Sequence, residues 1–500
     1  MNATRKSRWV GAVGIVVLAI VLGVVVAVQP RLALAAAVVV PLVIVTAARP
    51  GTVAAVLLLW GTVKYSMLKL LPALGGVFAQ AEVVCLVLVA GFTLMRLARR
   101  SGTSRLRLRS FWWLIAFVAA GLASWAANSG TLTQLLAGTR SLLTMPLLAL
   151  AVAVAGEESD YRLLLVWGVA LTCVQVPIAA VQFAVAGLKT DVDLVNGTLG
   201  LGGSNLLGIW MLAASAGAYY AFLRRGGIGW LAAALAFFSV VVMCGSRISI
   251  LAAPVFLIAL GLYAGIRFAS PGATARLVGS AVILVVVSVA LVTSVYTEYA
   301  RAGINIGTAA ADLSPTSLLQ RQTQIGDYSV PRLAYLAYGL GYLDTNSRFV
   351  PLGTGPASAG SGAAAAATTD YESSPFAVGL RLESEGLATY ASQSRVVTRT
   401  SQFVSTVVEY GPVGLFLMLM FYVAYGVRAG KCLYRSGETS LSETILVGVL
   451  PVVFVFATIG TLYGVTWEGL NIVGLMFWWV VLLSGAMGRQ HLTSAGIAEA

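Results

Sequence analysis

Residues 228–267 read IGWLAAALAFFSVVVMCGSRISILAAPVFLIALGLYAGIR, which is two apolar stretches joined by a short polar turn. Each stretch has close to the ~20 residues that an α-helix needs to cross the ~30 Å hydrocarbon core of a bilayer. Apolar stretches of similar length recur along nearly the whole chain. The pattern therefore predicts an all-α, polytopic membrane protein.

The composition supports the same conclusion. Hydrophobic residues make up 59% of the 500 residues and charged residues only 10%, and the mean hydropathy is +0.89. A soluble globular chain carries about 25% charged residues, so most of this surface is expected to face lipid. The net charge of +13 lies in short basic segments beside apolar stretches, where contact with anionic lipid headgroups explains it. Membrane lipids are therefore expected partners, and nucleic acid is not.

Fourteen candidate spans follow from the apolar stretches. They cover residues 9–28, 31–48, 52–73, 80–97, 111–127, 132–155, 163–187, 204–223, 228–245, 248–267, 277–296, 402–427, 443–463 and 469–487. With both termini in the cytoplasm, every strongly basic loop falls on the cytoplasmic side, which is the usual distribution of Lys and Arg. A count of twelve stays open, because the second and third spans contain Pro41, Lys64 and Lys69 and could be partly re-entrant.

Four regions divide the chain: N-terminal transmembrane helices in 1–110, a transmembrane core in 111–296, a large loop in 297–400, and C-terminal helices with a cytoplasmic tail in 401–500. The loop lies between the eleventh and twelfth spans and is expected to be extracytoplasmic. It contains seven arginines and no lysine. Loops of this length are generally functional or disordered, and the Ala/Gly/Ser-rich part that ends near Thr369 is expected to be flexible.

Two arginines stand where charges are rare. Arg140 lies in the middle of the sixth span, where a charge costs ~2.5–3.5 kcal/mol and normally faces a partner or a wet cavity. It either satisfies backbone carbonyls beside a kink at Pro146 or serves a functional site. Arg247 lies at the outward junction of two spans, against the inside bias of positive charge. It either anchors a lipid headgroup or binds a phosphate through two parallel hydrogen bonds from its guanidinium.

A glycine-rich segment, residues 196–208, separates the seventh and eighth spans. A turn of this kind ahead of a helix, with Ser204 and Asn205 as caps, can present backbone N–H groups to an anion. A tight interhelical turn that binds no ligand is the other interpretation.

Four motifs follow one another around the large loop. They are Gly197-Thr198 with Asn205-Leu206-Leu207-Gly208, Ser246-Arg247 before an apolar span, Arg332 with Gly353-Thr354-Gly355, and Glu409-Tyr410-Gly411-Pro412-Val413-Gly414. In this order they resemble the motifs of the O-antigen ligase and O-antigen polymerase superfamily of bacterial membrane glycosyltransferases. The resemblance covers roughly residues 130–430.

The chain departs from that family at two positions. Thr400 stands where members commonly place a histidine, about nine residues before the acid. Leu194-Val195-Asn196 stands where ligases tend to have an arginine, and Lys189 is the nearest cation. The base that deprotonates an acceptor is therefore expected among the carboxylates, which are Glu409, Glu383, Glu385 and Asp327. Glu409 matches the family's position, although a carboxylate there could also pair with a loop arginine or cap a helix.

The resemblance implies an inverting, metal-independent polymerase or ligase in the bacterial cytoplasmic membrane. Such an enzyme transfers a glycan from a polyprenyl-pyrophosphate carrier to the hydroxyl of an acceptor glycan or lipid, on the extracytoplasmic face. Arg247, Arg332 and Glu409 are the implied catalytic residues. The implied substrate-binding residues are Arg140, Lys189, Asn205, Arg321, Gly353, Gly355 and Arg399. No cofactor is expected, and other membrane proteins of polysaccharide assembly are expected partners.

A transporter, such as a flippase for lipid-linked oligosaccharides, is the alternative function. Many spans and intramembrane arginines suit a transporter as well. Transporters, however, typically consist of two repeated halves with short loops, and this chain has no evident repeat and one dominant loop.

Overall fold

The computed structural model describes residues 43–72, 75–99, 111–187, 195–200, 203–267, 332–359, 401–437, 440–462 and 471–494, with isolated residues at 279, 286, 289, 290, 293, 294, 297, 361, 363, 364 and 376. All regular secondary structure in these residues is helical. The helices are α1 (Pro50–Leu70), α2 (Gly75–Arg99), α3 (Trp112–Ala127), α4 (Leu132–Ala155), α5 (Glu158–Gln182), α6 (Ser204–Arg225), α7 (Ile228–Met243), α8 (Arg247–Arg267), α9 (Arg332–Asn346), α10 (Gln402–Ser436), α11 (Leu441–Thr458) and α12 (Ile472–Ser494).

Six stretches in the described residues form helices long and apolar enough to cross a membrane. They are Leu132–Ala155, Glu158–Val185, Ser204–Arg225, Ile248–Arg267, Gln402–Arg435 and Leu441–Leu462. Shorter apolar helices lie at Pro50–Lys64, Trp112–Ala127, Ile228–Met243 and Ile472–Ala486. The prediction of a helical protein with membrane-spanning helices is confirmed at this level, and the count of fourteen spans stays a prediction.

Eleven of the fourteen predicted spans correspond to helices α1–α8 and α10–α12. The predicted span 9–28 and most of 31–48 and 277–296 lie outside the described residues. The third predicted span, 52–73, is a single uninterrupted helix, α1, despite its two lysines. Lys64 is accommodated there because its Nζ donates a hydrogen bond to Glu82 of α2, at 2.6 Å.

Helix α6 lies at the centre of the bundle and is buried on nearly every side. Its small residues let α11 approach closely: a Cβ added at Gly217 would lie 2.8 Å from Val449, and one added at Gly448 would lie 2.5 Å from the carbonyl oxygen of Ala216. Small residues at helix contacts are typical of membrane bundles, where packing replaces the hydrophobic effect as the force between helices. α5, by contrast, leaves large apolar side chains such as Trp167 more than half exposed.

Basic residues from several helices lie together at one end of the bundle, here called the basic end. Contacts across this end join different helices: Arg96 donates to the carbonyl of Ala48 at 2.8 Å, and Arg225 donates to Thr444 at 3.4 Å. Arg267 lies over the ring of Tyr434, 4.9 Å from its centroid. The opposite end, here called the loop end, carries residues 347–359 and the starts of α4, α6, α8 and α10.

Part of the predicted large loop is described and packs on the bundle. α9 lies along the start of α10, where a Cβ added at Gly339 would be 2.6 Å from Val404. The hydroxyl of Tyr338 donates to the carbonyl of Phe376 at 2.7 Å, and burial among these rings raises the pKa of Tyr342. The part of the loop that forms α9 is therefore helical and docked on α10.

Candidate functional site

The glycine-x-glycine motif of the loop binds to α10 at a position where that helix lacks one of its own backbone hydrogen bonds. Pro412 has no N–H, so the carbonyl of Val408 loses its usual partner four residues ahead. Thr354 replaces it: its N–H donates to that carbonyl at 2.8 Å and its hydroxyl at 3.0 Å. The N–H of Gly355 donates to the carbonyl of Glu409 at 3.0 Å. Two motifs that are separate in the sequence therefore form one contact.

Two glycines make this approach possible. Gly411 has φ +70° and ψ 175° and kinks α10. A Cβ at Gly411 would lie 2.1 Å from the carbonyl oxygen of Pro351, and one at Gly353 would lie 2.4 Å from the backbone nitrogen of Gly411. Gly353 also has a positive φ, +80°. Both positions combine a left-handed backbone with direct backbone contact, and only glycine meets both conditions.

The side chain of Glu409 points into the same loop. Its Oε2 accepts a hydrogen bond from the N–H of Ala357 at 3.0 Å, and its Oε1 accepts one from the N–H of Ala359 at 3.3 Å. The residue is only 2% exposed. Backbone N–H groups directed at an ionised carboxylate give strong, charge-assisted hydrogen bonds. Glu409 therefore anchors the loop, and its predicted role as the acceptor's base stays a prediction.

A narrow polar cleft, too small to hold a water molecule, lies beside Glu409 between α4, α10 and the loop. Its polar lining consists of Ser141, Ser361, Gln402, Ser405, Thr406 and Glu409. All but Ser141 are buried at 3% exposure or less. These hydroxyl and amide groups surround one carboxylate and form the most polar buried region in the described part of α10.

A second set of contacts braces the loop from the side of α3. The side-chain N–H of Asn128 donates to the carbonyl of Gly353 at 2.9 Å, and its Oδ1 accepts from the N–H of Arg348 at 3.2 Å. The guanidinium of Arg348 donates to Ser129 at 3.2 Å. None of these residues was among the site residues predicted from the sequence. The only signal was the Asn-Ser-Gly turn that follows the fifth predicted span.

The other two motifs meet at the starts of α6 and α8. A Cβ added at Gly208 would lie 2.3 Å from the Cβ of Ser246 and 2.5 Å from its Oγ. Ser246 is fully buried, and its hydroxyl donates to Ser249 at 2.8 Å. Arg247 is the first residue of α8, so it follows directly after this contact. Asn205, in the first turn of α6, is exposed.

We expect Gly208→Ala to destabilise the protein, because the new methyl group would overlap Ser246. Overpacking of this kind costs about 1–3 kcal/mol. Gly91→Ala is the matched control, since a Cβ at that helical position meets nothing within 4 Å and alanine favours a helix by about 0.5–1 kcal/mol. The thermal midpoint of the purified proteins should fall for Gly208→Ala and stay level or rise for Gly91→Ala. Equal midpoints would contradict the close contact.

The glycine-threonine turn is held by two glutamines of α5. Gln182 Oε1 accepts from the N–H groups of Asn196, at 3.0 Å, and Gly197, at 2.7 Å. Gln175 Oε1 accepts from the N–H of Thr198 at 3.0 Å. These donors face protein groups, so this turn fits the interpretation as a tight interhelical turn. The suggested caps are also wrong: the N-cap of α6 is Gly203, and no side chain caps it.

Arg140 lies apart from the loop. Its Nη2 is 4.0 Å from Glu82 Oε1, and its side chain is 51% exposed. Gly138, two residues earlier, is the position on α4 that contacts the loop, where a Cβ would be 2.8 Å from Pro356. Two residues turn a helix by about 200°, so Arg140 projects from the opposite face. Glu82 is the nearest carboxylate to Arg140 in the described residues, and the predicted role of this arginine in pyrophosphate binding stays a prediction.

The remaining predicted residues are placed only in part. Arg332 begins α9, the helix that packs on α10. Lys189, Arg321, Arg399, Thr400 and the carboxylates Asp327, Glu383 and Glu385 lie outside the described residues. Within the described ranges, no group of three His, Cys, Asp or Glu side chains is arranged to bind a metal ion.

The candidate site therefore consists of two contacts at the loop end: the loop on Glu409 and Gly411, and Gly208 on Ser246. Each contact joins two of the motifs singled out in the sequence. No protein-family model matches the chain, and a search of curated proteins finds no match either.

Proposed function

We propose that this protein is a membrane glycosyltransferase of the O-antigen polymerase or ligase type. The observation that carries the proposal is the contact between Gly353-Thr354-Gly355 and Glu409-Tyr410-Gly411. These two motifs lie more than fifty residues apart. Both were selected because they resemble motifs of the family, and not because the sequence predicted a contact between them. If the resemblance were accidental, no contact between the two motifs would be expected.

The proposed active face is the loop end, facing away from the cytoplasm. The distribution of charge supports this orientation, because Arg96, Arg225 and Arg267 lie at the opposite end. Basic residues at membrane-helix ends favour the cytoplasmic side. In the proposed topology of fourteen spans both termini are cytoplasmic, in the cytoplasmic membrane of a bacterium.

The proposed reaction is inverting transfer from a polyprenyl-pyrophosphate carrier. The acceptor hydroxyl oxygen attacks the anomeric carbon, the bond from that carbon to the pyrophosphate oxygen breaks, and the pyrophosphate leaves with the electron pair. The hydroxyl proton passes to a base, for which Glu409 is the candidate. Arg247 and Arg332 would stabilise the charge that develops on the pyrophosphate, a role that needs fixed cations and no metal.

The test is the length of glycan chains on the carrier lipid and at the cell surface. We expect wild-type cells to carry long polymer, and cells with Arg247→Ala or Arg332→Ala to carry mainly single repeat units. Loss of one group that stabilises transition-state charge costs about 10²–10³ in rate. Arg162→Ala is the matched control, because this arginine is exposed on α5 and lies at the basic end.

Two results would contradict the proposal. Long polymer in both variants at matched expression would remove these arginines from the reaction. If single units instead stayed on the cytoplasmic leaflet, translocation would be the failed step, and the chain would be a flippase.

A further inference from the structure

Three charged side chains from three helices form a cluster away from the loop. Lys64 of α1 donates to Glu82 Oε2 at 2.6 Å, and Arg140 of α4 approaches Glu82 Oε1 at 4.0 Å. One carboxylate thus lies between two cations, and the cluster carries one net positive charge. Glu82 is 7% exposed, Lys64 26% and Arg140 51%.

The guanidinium of Arg140 has hydrogen-bonding capacity left over. At 4.0 Å its distance to Glu82 is well beyond the ~2.7–2.9 Å of a charge-assisted hydrogen bond. Among the described residues it donates no hydrogen bond to any protein group. An arginine offers five N–H donors in a planar fork that matches phosphate. The cluster thus combines an excess positive charge with an unused set of donors.

The surroundings of Arg140 are apolar. Leu132, Leu136 and Arg140 follow one another at four-residue spacing, so they share one face of α4, and Leu132 and Leu136 are 62% and 61% exposed. Arg140 lies eight residues from the start of α4, which is about 12 Å along the helix. α4 is long and apolar enough to cross a membrane, so this exposed apolar face is expected to meet lipid. An anion that reaches Arg140 is then expected to come from the membrane.

We propose that Lys64 and Arg140 bind the phosphate group of a membrane lipid, with Glu82 holding the two cations in place. Its chemistry is a lipid phosphate, supplied by the headgroup of an anionic phospholipid or by a polyprenyl-phosphate carrier. The site is separate from the loop cleft, because Gly138 faces the loop and Arg140 faces away from it. The phospholipid source is independent of the proposed function, and only the carrier source rests on it.

The test measures lipid binding to the purified full-length protein in micelles of a neutral detergent. Phosphatidylglycerol and polyprenyl pyrophosphate are titrated in separate arms, and the bound lipid is counted by native mass spectrometry. We expect Arg140→Gln to weaken binding about tenfold, since a hydrogen bond to a charged group is worth about one to two factors of ten. Lys69→Gln is the matched control, because Lys69 is an exposed lysine on the last turn of α1.

A second variant separates binding from folding. Glu82→Gln removes the negative charge but keeps both cations, so a phosphate should bind it as tightly as the wild type or more tightly. If the cluster only stabilises the fold, Glu82→Gln and Arg140→Gln should lower the thermal midpoint alike and leave binding at the level of Lys69→Gln. That result would overturn the proposal.

The two arms identify the source of the phosphate. Weaker binding of phosphatidylglycerol by Arg140→Gln supports a phospholipid site, whether or not the protein makes polymer. Weaker binding of polyprenyl pyrophosphate alone supports a docking site for the carrier. Failure of the proposed function would appear instead in the chain-length experiment, through Arg247 and Arg332. Unchanged binding in both arms contradicts the inference and leaves the proposed function untouched.

Discussion

Replacing Gly411 with alanine is expected to detach the loop from α10 and to stop polymer formation. The new Cβ would lie 2.1 Å from the carbonyl oxygen of Pro351 and 2.7 Å from the nitrogen of Gly353. Both neighbours are backbone atoms, so no side chain can rotate to relieve the overlap. The φ of +70° with ψ of 175° is also a conformation that essentially only glycine adopts. Together the strain and the overlap should cost about 3 kcal/mol or more.

Gly437→Ala is the control for this experiment. Gly437 ends the same helix with φ +71°, and a Cβ there meets nothing within 4 Å. It should cost only the ~1–2 kcal/mol of a left-handed alanine. The measurements are the thermal midpoint, trypsin cleavage after Arg348, and glycan chain length. Gly411→Ala should expose Arg348 to cleavage and Gly437→Ala should not. Equal protection in the two variants would show that the loop does not depend on this contact.

Glu409→Gln is expected to weaken loop docking and to reduce transfer strongly. The glutamine keeps one oxygen, so it can accept from Ala357 or Ala359 but not from both, and its NH₂ group would face the other N–H. Losing one charge-assisted hydrogen bond and leaving a buried donor unpaired costs about 1.5–3 kcal/mol. The equilibrium constant for loop docking should fall by about tenfold to a hundredfold.

Glu443→Gln is the matched control for the charge change. Glu443 is also 2% exposed and also accepts from a backbone N–H, that of Ser440 at 3.1 Å. It belongs to a capping box at the basic end, where glutamine serves nearly as well as glutamate. We therefore expect normal polymer length and a nearly unchanged thermal midpoint for this variant.

The same experiment separates an anchor from a base. If Glu409 only holds the loop, Glu409→Gln should lose transfer and gain trypsin cleavage after Arg348 together. If it is the base for the acceptor, transfer should be lost while the loop stays protected. Normal transfer with a protected loop would exclude both roles.

The helices could be predicted from the sequence because hydropathy is a local property. Residues 132–155 form α4 with the predicted limits, and 228–245 and 248–267 form α7 and α8 within two residues at each end. An apolar stretch of ~20 residues satisfies its backbone only as a helix in lipid, so length and hydropathy decide the element. The candidate motifs were also visible in the sequence, as unusual residues between or within those stretches.

Local sequence patterns could not identify the partners of residues that interact with distant parts of the chain. The sequence left open whether the glycine-threonine turn binds an anion or is a tight turn without a ligand. In the structure, Gln175 and Gln182 of α5 accept hydrogen bonds from its N–H groups. Nothing in the sequence pairs a glutamine in an apolar span with that turn. Arg140 was predicted to bind pyrophosphate, and no sequence pattern indicated that Glu82 of another helix lies beside it. The periodicity of an α-helix predicts that Gly138 and Arg140 lie on opposite faces of α4. It does not predict which of those faces contacts the loop.

By itself the sequence determined that this protein is helical, where most of its helices begin and end, and which residues are unusual in their setting. Only the tertiary structure decided which of those residues meet. Asn128 binds Gly353 across 225 positions, and Thr354 takes the carbonyl that Pro412 leaves without a partner. Hydropathy acts between a residue and its solvent, so it can be read from one segment. A hydrogen bond between two segments depends on how all the helices pack, so it cannot.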